Sequence, residues 1–127
     1  MTTRMTYTCT IPAVPPSMNV YDRWPSYKQR EEKRRWQADV LALCNEKGNR
    51  APRGIERATL RAVIYFTTNR SRDGDNYFVP FWKWTMDALR YAGVLLGDTD
   101  DKVKPQKPVL SIGSTEQTLL VIEGLGE

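Results

Sequence analysis

Histidine is absent from this 127-residue chain, and cysteine nearly so. Cys9 and Cys44 stand alone, without a CxxC spacing, which argues against a disulfide or a zinc site and for two buried free thiols in a reducing compartment. Any metal must therefore find oxygen ligands. No apolar run approaches membrane-spanning length and no signal peptide precedes Met5, so an intracellular, cytoplasmic protein with no membrane partner is expected. Repeats and low-complexity tracts are also missing. A chain of this length suits one domain, residues 1–127, with a proper core.

What is present is a moderate surplus of positive charge: 19 Lys and Arg against 15 Asp and Glu, with a pI near 9.2. Such a balance favours a polyanionic partner without proving one, because net charge bears on association rather than fold. The cations are grouped. Lys28, Arg30, Lys33, Arg34 and Arg35 load the first half of an expected helix, where the macrodipole does not favour them. Glu31 and Glu32 partly neutralise them.

The hydrophobic pattern predicts the order β-α-β-α-β-β. Met5 to Ile11 alternates as a strand, and the prolines of 12–19 then force an extended loop. A capping box of Ser26 with Gln29 starts a helix running to about Lys47, with Trp36, Val40, Leu43 and Cys44 on one face and Gly48 ending it. Ala58–Thr67 is the strongest strand signal and should be central. After a polar loop, a second helix begins near Pro80 and ends by Ala92-Gly93. It is apolar on most sides except the stripe Lys83, Asp87, Arg90. Strands near Val109–Ile112 and Thr118–Ile122 close an α+β domain, one mixed sheet packed by two helices.

Two acidic clusters flank that second helix: Asp73-Gly74-Asp75-Asn76 before it and Asp98-Thr99-Asp100-Asp101 after it. Carboxylates converging from separate segments suit magnesium, a hard cation that takes oxygen ligands. Magnesium in turn suits phosphodiester hydrolysis, which needs an activated water and relief for developing charge. Asp73 and Asp75, at i and i+2, share one side of an extended segment. Asp98 or Asp100 closes the site, Lys83 is the natural cation, and Arg70 or Arg72 holds the phosphate backbone. Each feature also has an ordinary explanation: Asp-Gly and Asp-Asn form turns, and Lys83 with Asp87 is a surface pair. An EF-hand is excluded because Phe78 and Trp84 occupy its glycine and glutamate positions. Trp24, Tyr27 and Tyr77 are candidate base-stacking aromatics, while Trp82 reads as core.

The succession of features resembles the RusA family of Holliday-junction resolvases, small endonucleases of phages and prophages. The resemblance runs through Ile11-Pro12, Pro15-Pro16-Ser17-Met18-Asn19, Arg72-Asp73-Gly74-Asp75-Asn76, Lys83 with Asp87-Ala88-Leu89, Ala92-Gly93-Val94 and the Asp98 cluster. It implies a RusA-like fold and a homodimer that binds four-way DNA junctions and nicks two strands symmetrically with magnesium. Asp73, Asp75 and Asp98 would be metal ligands and Lys83 the catalytic lysine. Arg70, Arg72, Asn76, Lys33 and Arg34 are the expected DNA contacts. Two departures stand out. An extra turn, Tyr77-Phe78-Val79-Pro80, separates Asn76 from Lys83, and Gly97 takes the place of the first of two adjacent aspartates. Counting from Gly93 selects Asp98, and counting back from Val103 selects Asp100. The alternative from another class is a non-catalytic branched-DNA-binding accessory protein of a phage, with the same basic surface.

Overall fold

The structure, a computed structural model, describes residues 3–97 and 101–126. Its centre is the strand read as central from the sequence. Here that strand is β2, Arg57–Phe66, preceded by β1 at Thr3–Ile11 and followed by β3 at Val103–Pro105, β4 at Val109–Ile112 and β5 at Gln117–Gly126. On one edge β2 pairs antiparallel with β5, which in turn pairs antiparallel with β1. On the other edge it pairs in parallel with β3 near its start and with β4 near its end. The result is a mixed five-stranded sheet, as expected for an α+β domain.

Strict alternation along β2 gives the sheet two unlike faces. Ala58, Leu60, Ala62, Ile64 and Phe66 are buried, whereas Arg57 and Arg61 point to the opposite side. The buried face is covered by α2 (Ser26–Cys44) and α3 (Val79–Tyr91), which pack against each other. Trp36, Val40 and Cys44 recur every four residues, so α2 presents them as one stripe. Burial of Pro80, Phe81, Trp82, Trp84, Thr85, Ala88 and Leu89 leaves α3 little polar surface beyond its charged stripe. Removing a side chain the size of Phe81 or Trp82 from water contributes roughly 3 kcal/mol. Among the described residues, no helix is long and apolar enough to cross a membrane.

Local structure departs from the sequence reading in four places. The proline-rich loop ends early, because Met18–Arg23 forms a short helix, α1. Ser17 accepts a hydrogen bond from the Val20 amide at 3.2 Å and so supplies the cap that the preceding prolines do not prevent. The capping box of Ser26 and Gln29 does not form: Pro25 is the N-cap residue, and the Gln29 side-chain amide donates to the Tyr21 carbonyl at 2.8 Å. Helix α2 ends at Cys44 rather than near Lys47. Asn45 caps it and donates through Nδ2 to the Leu41 carbonyl, while Gly48, at φ +90°, sits in the turn beyond. Finally, Val103–Pro105 adds a three-residue strand whose shortness hides any alternation.

Cys9 and Cys44 are buried and unpaired, as read from their isolation. Burial pushes the Cys9 thiol up to about 11, so it stays protonated and inert near neutral pH.

One buried polar contact joins the helices: Trp36 Nε1 donates to Thr85 Oγ1 at 3.0 Å. Thr85→Val conserves shape but leaves the indole N–H unanswered. It is expected to lower unfolding free energy by about 1–3 kcal/mol in urea denaturation. An unchanged midpoint and slope would show that the bond contributes nothing net.

Candidate metal and nucleic-acid site

Phe66 ends β2 inside the core and anchors the loop that leaves the strand. The Arg72 guanidinium lies 3.8 Å above its ring, and the Tyr77 ring packs 5.5 Å away at 59°. Arg72 also closes the loop 67–73 on itself, donating from Nη1 to the Thr68 carbonyl and from Nη2 to Thr68 Oγ1, each at 2.9 Å. The guanidinium expected to meet phosphate thus braces its own loop. Arg70, in contrast, extends into solvent.

The loop leads into a 3-10 turn, Gly74–Tyr77. The segment is not extended at Asp75, so strand alternation is not what aligns the two carboxylates. Asp73 is the cap: its Oδ1 accepts from the Asp75 amide at 3.0 Å, and its carbonyl accepts from the Asn76 amide at 3.1 Å. Both aspartates are exposed, and among the described residues neither has an ion-pair partner. Arg72 stands next to Asp73 in sequence yet does not neutralise it. Two hard-oxygen donors on one turn therefore remain available, the chemistry that magnesium selects.

Gly74 is required by close approach. A Cβ there would sit 3.2 Å from the Pro108 carbonyl oxygen and 3.5 Å from the Lys107 stem. Lys107 thereby joins the candidate site from the connection between β3 and β4, alongside the middle of β2. Sequence reasoning did not single it out. The only local signal was its place in Pro105-Gln106-Lys107-Pro108, an extended segment.

The extra residues before Lys83 are helical. Phe78 closes the 3-10 turn and opens α3, and the Trp82 amide bonds to the Phe78 carbonyl at 3.1 Å. Lys83 is exposed on α3, seven residues beyond Asn76, which lies in the preceding 3-10 turn. Its side chain leans toward the helix N-terminus, as α-helical side chains do. Asp87 is held by Arg90 at 3.2 Å. Across from Asp87, Lys33 and Arg34 of α2 line a groove of about 440 Å³ together with Leu41, Ala88 and Tyr91. Arg35 is taken up by Glu31 and Glu32 at 3.6 and 3.4 Å.

Asp98 and Asp100 lie outside the described residues. The chain approaches them from Gly93, whose φ of +81° ends α3. The Gly93 and Val94 carbonyls then accept from the amides of Gly54 and Ile55, both at 2.8 Å. That pairing returns the chain to Gly54 and Ile55, just before β2, whereas Gly74 packs on Lys107 and Pro108 beside the middle of that strand. Among the described residues, no three acidic or cysteine side chains gather as a metal cluster. Of the aromatics, Trp82 is core and donates to the Gln106 carbonyl at 2.7 Å. Tyr77 is half-buried on Phe66, Trp24 lies under Lys28 at 4.8 Å, and Tyr27 is exposed.

No protein-family model and no curated protein matches this chain.

Arg72→Ala removes both the loop clasp and the cover over Phe66. Amide hydrogen exchange across 67–77 is expected to accelerate, with global stability falling by about 1 kcal/mol. Unchanged exchange would show that the turn holds itself.

Proposed function

We propose that the chain is a magnesium-dependent, structure-selective endodeoxyribonuclease that nicks four-way or otherwise branched DNA in recombination and repair. The observation that carries this reading is the Asp73–Asp75 turn: two exposed, unneutralised carboxylates in a net basic protein, with the adjacent arginine turned away to brace the loop. Asp73 and Asp75 would hold the metal, with Asp98, or Asp100, as the third carboxylate. Magnesium bound there supplies a more acidic water and charge relief at the phosphoryl oxygens.

The remaining roles fall to cations. Lys107, beside Gly74, and Lys83, on α3, supply positive charge for the scissile phosphate. Arg70, Asn76, Lys33 and Arg34 would contact the DNA backbone on either side. The resemblance to the RusA family supports a cytoplasmic, phage-encoded homodimer, in which two equivalent sites suit the two-fold symmetry of a junction.

A second reading, a branched-DNA-binding accessory without turnover, draws support from the extra turn before Lys83, where the chain passes from the 3-10 turn into α3. The two readings diverge on one substrate. With magnesium, the wild-type protein is expected to make paired symmetric nicks in a labelled mobile junction and none in linear duplex. Asp75→Asn should lower nicking by more than about a hundredfold while junction binding persists. Full nicking by Asp75→Asn would remove that carboxylate from the site. Tight binding without nicks by the wild type would establish the accessory.

A further inference from the structure

The sheet face turned away from the helices carries a second set of cations. Arg4 of β1 and Arg57 of β2 are both in register with Leu125 of β5, which puts the two guanidinium groups on one side of the sheet, flanking one residue. The next rung aligns Thr6, Glu123, Thr59 and Lys104, and the one after it aligns Thr8, Val121 and Arg61. The first two of these rungs, with Ala58, Gly124, Lys102 and the carboxylate of Asp101, line an open cleft of about 360 Å³.

The charges in this cleft are unequal. Glu123 is answered by Arg61 at 2.9 Å and Glu56 by Lys102 at 3.7 Å. Among the described residues Arg4 and Arg57 have no ion-pair partner, and both are exposed. Two arginines without an ion-pair partner, with the Thr6 and Thr59 hydroxyls on the next rung, form a donor-rich surface, and the guanidinium fork matches phosphate oxygens bidentately. Arg57, Thr59 and Arg61 also advance by about 7 Å per pair of residues, so successive side chains meet successive phosphates of one strand. Leu125 is the large apolar residue exposed beside them, too little apolar surface to insert into a bilayer.

We infer that this cleft is a phosphodiester-backbone site, which holds a DNA segment against the open sheet face around Arg4 and Arg57. It rests on the proposed function only for the nature of the partner and does not require the carboxylates. It lies on the open face at the start of β2, while Gly74 of the carboxylate turn packs on Lys107 and Pro108 beside the middle of that strand, so the cleft would add a second DNA contact to the same protomer.

The test is fluorescence anisotropy of labelled duplex and junction across a salt series, comparing wild type, Arg4→Ala/Arg57→Ala and Arg4→Lys/Arg57→Lys, with thermal melts confirming folding. The alanine pair is expected to weaken binding about tenfold at about 100 mM salt and to reduce the slope of log affinity against log salt by about two. The lysine pair keeps the slope. An unchanged slope in the folded alanine pair, or no DNA binding by the wild type, overturns the site. Co-sedimentation with phosphatidylserine vesicles that is lost in the alanine pair, with DNA binding intact, assigns the cleft to lipid and also overturns it. Junction nicking measured in parallel separates this claim from the nuclease reading. A wild type that binds through Arg4 and Arg57 yet never nicks contradicts only the nuclease. A wild type that nicks while the alanine pair binds normally contradicts only the cleft.

Discussion

Strand β2 has ladder partners on both edges and the helical layer on one face, and the loop that carries the candidate carboxylates is placed by that constraint. Its last residue, Phe66, anchors Arg72 and Tyr77 and so sets the loop that presents Asp73 and Asp75. Its middle positions the connection between β3 and β4, which brings Lys107 against Gly74. Gly54 and Ile55, just before it, receive the chain leaving α3, and its first residue, Arg57, lies on the open face. A strand so constrained has little freedom to slip, because a shift of one residue would send Leu60 and Ile64 to the solvent side.

Electrostatics gives the carboxylate turn its interest. Like charges held on one turn repel, and proteins commonly relieve this with a neighbouring arginine. Here Arg72 is available one residue away but is committed to Thr68 and to the Phe66 ring. Neither carboxylate has an ion-pair partner among the described residues, and a divalent cation is the complement we propose. The exposed cations are spread over α2, the loop after β2 and the open sheet face.

Much of the fold was legible because it depended on alternation and helical stripes. β2 and β4 matched their expected limits to within a residue, and Trp36, Val40 and Cys44 form the buried stripe of α2. What escaped was decided by single contacts. The short helix α1 depends on the Ser17 cap, and the lost capping box depends on Gln29 reaching the Tyr21 carbonyl. The site was legible in its motif but not in its surroundings. Asp73 and Asp75 stood out as a pair, although the cap that joins them is not the extended arrangement expected of them. Lys107 stayed hidden because only the parallel pairing of β3 and β4 with β2 brings it to Gly74.

The claim on which the functional account turns is that the Asp73–Asp75 turn holds a divalent cation. Amide NMR spectra recorded during a magnesium titration, then with trace manganese as a paramagnetic substitute, address it without needing turnover. Saturable shifts and selective broadening centred on Gly74, Asp75 and Asn76, abolished in Asp75→Asn, are the expected result. Broadening absent from that turn, or unchanged in the variant, would contradict the account.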